Sequence, residues 1–111
     1  MANIQLSWTA LTSDPGDVDS LEVYACDPGG TSKTTEAEFQ TALTAIHSGN
    51  TPVSQGLRLV EDSLAWNDSA TTSSDSVSTS GTYYYCVAAK NAAGYKVGDG
   101  SSNSAVSSVT V

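Results

Sequence analysis

The sequence predicts a mostly β chain of antiparallel strands with one short inserted helix. Three observations carry that prediction. Val, Thr and Tyr recur throughout, and these residue types suit a pleated, half-buried surface. Apolar and polar residues alternate over several short runs bounded by Gly, Pro, Asp and Ser, the period of two that marks strands. One stretch alone changes to the helical period. With 111 residues, 39% of them hydrophobic and 14% charged, the chain can bury one core and is too short for two. Residues 1–111 are therefore read as one domain. Two Trp and five Tyr separate it from a disordered acidic tail.

In chain order, Ile4, Leu6 and Trp8 alternate with Gln5, Ser7 and Thr9 to give a first strand. Residues 12–17, centred on Pro15-Gly16, form a turn by composition. Leu21, Val23 and Ala25 alternate with Glu22, Tyr24 and Cys26 in a second strand, which Asp27-Pro28-Gly29-Gly30 ends. Thr35-Glu36-Ala37-Glu38 has the Thr-x-x-Glu spacing of a capping box. Phe39, Leu43 and Ile46 recur at i, i+4 and i+7, Gly49 can close the end, and Thr51-Pro52 marks the exit. This predicts a helix over 36–47 with a single apolar stripe. Leu57, Leu59 and Val60 suggest a third strand and Leu64 with Trp66 a fourth, with Glu61-Asp62 as a turn between them. Residues 67–80, rich in Ser, Thr and Asp, read as a long loop or an irregular edge strand. Tyr83 to Lys90 is the strongest strand signal. Asn91-Ala92-Ala93-Gly94 turns it, Gly98-Asp99-Gly100 extends that loop, and Ala105 to Val111 closes the fold.

The formal net charge is −8, from twelve acids against Lys33, Arg58, Lys90 and Lys96. Four scattered cations build no basic face, which argues against nucleic acid and against anionic membrane surfaces. No apolar run approaches the roughly 18 residues of a membrane-spanning helix. Residues 1–11 alternate and lack both a cationic region and an apolar block, so they read as a strand and not as a signal peptide. Either the chain was cut from a larger exported protein or it needs no export signal.

The order of motifs resembles a fibronectin type III-like β-sandwich, a relative of the immunoglobulin fold. Trp8 in Leu6-Ser7-Trp8-Thr9-Ala10 is similar to that family's second-strand Trp, and Leu21-Glu22-Val23-Tyr24 to its third strand. The run from Gly81 through Tyr83, Tyr85, Val87 and Ala89 to Asn91, followed by Gly94, is similar to its sixth, and Ser104 to Val111 to its last. Two features depart from the family: no strand precedes the Trp strand, and the helix occupies a short connection. In the resembled fold the second and fifth strong segments of this chain are sheet neighbours, which puts Cys26 and Cys86 on one outward face. Register then decides whether they form a disulfide or stay thiols. On the same face Tyr24 and Tyr84, joined by Tyr95 from the adjacent loop, are interface candidates, because Tyr offers an apolar body and a polar tip. The competing reading is that the helix covers this face with Phe39, Leu43 and Ile46.

Other constellations are weaker. Asp14, Asp17 and Asp19 crowd one turn, but their spacing is not that of an EF-hand, and Asp commonly caps such turns. His47, the sole histidine, sits where a helix C-terminus favours a cation. No nucleophile-elbow motif accompanies it. Asn67-Asp68-Ser69 fits a glycosylation sequon. No catalytic set, metal site or cofactor site is expected. The resemblance, of a kind found in small capsid decoration proteins of tailed bacteriophages, implies a non-enzymatic structural module. It would dock on capsid or other assembly subunits at a virion surface, with self-association open. Phage proteins reach the outside by lysis, which suits a leaderless sandwich. The alternative is an adhesion or carbohydrate- or protein-binding module of an exported bacterial protein.

Overall fold

Seven strands and one α-helix form among residues 2–7, 18–29, 33–64, 72–97 and 106–111, which the computed structural model describes. Trp8, Trp66, the Pro15-Gly16 turn and the sequon lie outside the described residues. The elements are β1 (Ala2–Ser7), β2 (Ser20–Cys26), α1 (Glu36–His47), a 3₁₀ turn (Val53–Gln55), β3 (Arg58–Leu64), β4 (Thr72–Val77), β5 (Thr82–Asn91), β6 (Gly94–Val97) and β7 (Val106–Thr110). The protein is thus mostly β, with the inserted helix at the expected 36–47.

All pairings are antiparallel. β1 pairs with β4, and β3-β2-β5 form a larger sheet. The far edge of β5 is shared: β6 pairs with residues 88–91 and β7 with residues 82–86. Between the two sheets lie Ile4, Ala25, Val77, Tyr83 and Tyr85. A second cluster forms where α1 covers the opposite face of the larger sheet, joining Phe39, Ala42 and Leu43 to Tyr24, Cys26, Cys86, Ala88 and Val97. The layers are therefore sheet, sheet, helix. Position explains why β2 is buried at every residue from Leu21 to Cys26, although its alternation reads as half-buried: one face meets β1 and β4, the other meets α1.

Three readings of the chain change. Residues 58–64 are one strand, not two separated by a turn; Glu61 and Asp62 lie within it. The register shifts on either side of Val23, and Ser63 takes a left-handed φ of 56°. Such a bulge lets an apolar pattern skip a beat without ending the strand. Residues 72–77 of the Ser-rich stretch follow the second of its two readings, an edge strand, but in an unbroken register with β1 and not an irregular one, with Ser73, Asp75 and Val77 inward. Small and charged inward residues conceal the alternation from hydropathy. Finally, the turn at Asn91 to Gly94 leads straight into β6, where only loop was expected.

The helix starts at the expected Thr35 cap, with the Glu38 carboxylate reaching one residue further back than a standard capping box, to Thr34. Thr35 Oγ1 accepts from the Glu38 N–H at 3.2 Å, and Glu38 reaches back to accept from the Thr34 N–H at 3.3 Å. Hydrogen bonds to the exposed Glu38 carboxylate, first from the Thr34 N–H and then from the Thr35 hydroxyl, hold it below its ordinary range. At Gly81 the backbone has φ +143°, and a Cβ there would meet Pro28 Cβ at 2.5 Å. Only glycine lets the start of β5 pass this close to the end of β2.

Candidate functional site

The helix-covered face holds the residues singled out as interface candidates. Tyr24 retains 2% of its exposure. Its hydroxyl donates to Glu22 Oε1 at 2.9 Å, and the Tyr95 hydroxyl donates to the same oxygen at 2.7 Å. The two rings meet edge to face at 6.1 Å. Lys90 Nζ lies 3.5 Å from Glu22 Oε2 and 5.4 Å from the Tyr95 ring centre. Burial, with the Tyr95 and Glu22 contacts, drives the Tyr24 hydroxyl well above its usual range. The Glu22 charge likewise raises Lys90. Tyr24 is thus an interior residue closing a carboxylate–phenol–ammonium network, and it offers no contact surface. Tyr84 and Tyr95 are half-buried against the same cluster. His47 is exposed at the end of α1, its ring edge-on to Tyr95 at 6.5 Å. The helix is the cover, as the second of the two sequence readings has it.

Cys26 and Cys86 do share this face, both buried, and they are not joined by a disulfide. Register supplies the reason. Cys26 stands opposite Tyr84 and Cys86 opposite Tyr24, so the sulfurs are diagonal neighbours. Diagonal Cα atoms lie about 7–8 Å apart, beyond ordinary disulfide reach. Cys26 Sγ accepts from the Lys33 N–H at 3.2 Å. Burial, with some contribution from the Glu36 charge, pushes the Cys86 thiol up to about 12. That suits a packed thiol and not a nucleophile.

A second cluster escaped the sequence reading. Arg58 donates from Nε and Nη2 to the two oxygens of Asp27 (2.9 and 2.8 Å) and from Nη1 and Nη2 to those of Asp75 (2.9 and 2.8 Å). The Tyr85 hydroxyl donates to Asp75 Oδ2 at 2.7 Å. Hydrogen bonds from Arg58 are the main reason the Asp75 carboxyl sits below its usual range, while burial and the Asp75 contact raise Tyr85. The fork ties the end of β2 and the start of β3 to β4, across the two sheets. Arg58 was legible only as one of four cations, and Asp75 only as an acid among serines. The usable signal was a lone Asp at an inward position of a period-two run, which demands a cation. Beside the fork opens a depression of about 280 Å³, lined by Asp27, Pro28, Arg58, Ser76, Ser78 and Tyr83 among others.

Of the acidic turn, Asp14 and Asp17 lie outside the described residues, and the Asp19 N–H donates to the Lys90 carbonyl at 2.9 Å. Among the described residues no three His, Cys, Asp or Glu side chains gather as metal ligands. No described helix is long and apolar enough to cross a membrane. Comparison with protein families, with curated proteins and with solved structures returned no significant match.

Proposed function

We propose that this chain is a non-enzymatic structural module that docks on a larger assembly, as a capsid decoration or fibre component exposed on a phage virion. The observation that carries this reading is where the polar chemistry goes. The buried Glu22 and Asp75 carboxylates are held by Lys90, Arg58 and three tyrosine hydroxyls. The Cys86 thiol is raised and packed. Charges satisfied in this way stiffen a scaffold and leave little to act on a substrate. The phage assignment rests on the fibronectin type III-like resemblance. Two features support it: β1 pairs with β4 while β3, β2 and β5 form the facing sheet, and the Tyr83 hydroxyl donates to the Thr79 carbonyl at 2.7 Å, the link of a tyrosine corner. Gradient-purified virions of the encoding phage should contain the chain as a stoichiometric component. Its absence from the particles would overturn the reading.

The depression beside Arg58 favours one alternative, a saccharide-binding module of an exported protein. Its fixed carboxylate–guanidinium pair and serine hydroxyls are groups that sugar hydroxyls can bond. Glycan-array binding abolished by Asp27→Ala would support that reading over the virion one.

A further inference from the structure

The depression beside Arg58 is walled by groups held in place before any ligand arrives. Gly81, without a Cβ, lets β5 begin against Pro28, and the Tyr83 hydroxyl donates to the Thr79 carbonyl at 2.7 Å. Asp27 stands at the rim with 45% of its side-chain exposure, beside the exposed Ser76, Ser78 and Thr79. The local charge is unbalanced: two carboxylates, Asp27 and Asp75, share one guanidinium. At about 280 Å³ the space falls below the roughly 300–1,000 Å³ of small-molecule pockets, so it suits one side chain better than a whole ligand.

The occupant follows from which bonding positions are already taken. Arg58 presents its Nε–Nη2 edge to Asp27 and its Nη1–Nη2 edge to Asp75. Both forks are spent, so neither a carboxylate nor a phosphate finds the bidentate seat that anions prefer. A carboxylate has about four lone-pair positions, and Arg58 takes one on each Asp27 oxygen. The remaining acceptors, with the Ser76 and Ser78 hydroxyls, suit single, separately directed donors. An ammonium carries three of these, whereas the flat fork of a second guanidinium would need the edge that Arg58 holds. Pro28 and Val77 give an apolar wall along which methylenes can lie. Tyr83, which keeps 2% of its exposure, presents no open ring face for a sugar to stack on. We propose that the depression receives the side chain of a lysine on the protein to which this module docks. The net charge of −8 draws a basic partner surface toward the whole molecule, and the Asp27 rim fixes one of its ammonium groups. The identity of the lysine's owner rests on the docking reading above; the site itself does not.

The test is an amide chemical-shift titration of the full chain with the peptide acetyl-Gly-Lys-Gly-amide. Saturable shifts are expected at Asp27, Ser76, Ser78 and Thr79, with a Kd of about 1–10 mM for one such contact. Asp27→Asn should weaken binding about tenfold and leave the fold intact, because Arg58 keeps Asp75 and an exposed pair contributes little. Asp62→Asn, which removes the same charge from an exposed position on β3, should change binding less than about twofold. No shift with the lysine peptide, or equal shifts with its Nε-acetylated form, would overturn the proposal. So would binding that Asp62→Asn weakens as much as Asp27→Asn, since general attraction to an acidic surface would then suffice. Shifts at the same amides from maltotetraose, with none from the lysine peptide, would give the depression to the saccharide reading instead. Virion analysis separates the two claims. A chain present in particles but without peptide binding removes the lysine site and keeps docking. Peptide binding by a chain absent from particles keeps the site and removes the virion reading.

Discussion

Arg58 is the residue on which both sheets depend. Asp75 is buried to 7% of its side-chain exposure, whereas Arg58 keeps 38%. Replacing Arg58 with Met leaves a buried carboxylate with only the Tyr85 hydroxyl. The loss should be about 2–3 kcal/mol at pH 7, below that of a fully buried pair because Arg58 is partly solvated. The pH dependence follows from the lowered Asp75 value. A carboxyl depressed in the folded state contributes stability that is complete above its unfolded value of about 3.9 and disappears as pH falls through the folded value. Urea midpoints of the two proteins should therefore converge as pH drops below about 4, because a protonated Asp75 needs no cation. At the same scale, the Cys86 thiol, raised to about 12 and buried, should resist iodoacetamide at pH 8. Alkylation of Cys26 and Cys86 should appear only in denaturant, as counted by intact mass. Rapid reaction of Cys86 in the folded protein would show that the helix does not stay closed.

The helix is bound to the sheet as an element, by its stripe and by one polar side chain. Phe39 and Leu43 are fully buried, and Gln40 grips the β6 edge with two hydrogen bonds. Gln40→Ala should cost about 1–2 kcal/mol for two bonds and expose the β6 edge. Light scattering at high concentration should therefore rise above that of the natural protein. Gln40→Glu keeps the acceptor for Val97 and loses the donor to Tyr95, and it should fall between the two. The N-cap acts separately: Thr35→Ala should cost about 1 kcal/mol without raising scattering, since the β6 edge stays covered.

Across the whole molecule, β2 contributes to both apolar clusters, Ala25 to one and Tyr24 and Cys26 to the other. If β2 leaves the sheet, both clusters lose their packing together. Far-UV circular dichroism, reporting helix and strand, and tyrosine near-UV signals should therefore trace one urea transition. A helix signal lost first would show the helical layer to be an independent unit.

Local signals made much of this visible in advance. The helix at 36–47 follows from a capping box and an i, i+4, i+7 stripe, both contained within one element. The strongest strand, at Tyr83 to Lys90, follows from period-two alternation, and the common face of Cys26 and Cys86 follows from that alternation only with the strand neighbourhood that the fibronectin type III-like resemblance implies. What the chain could not reveal locally depends on partners distant in sequence. A bulge joined 58–64 into one strand because β2 was there to pair with. Asp75 turned inward because Arg58, 17 residues away, could neutralise it. Tyr24 read as a surface aromatic because alternation assigns residues to faces and says nothing of what covers each face. Packing α1 onto the larger sheet turned that face into a core, and the β2–β5 register set the two sulfurs on a diagonal that keeps them apart. Alternation and caps are properties of neighbouring residues; burial and register are properties of contacts, and those exist only once the chain has folded.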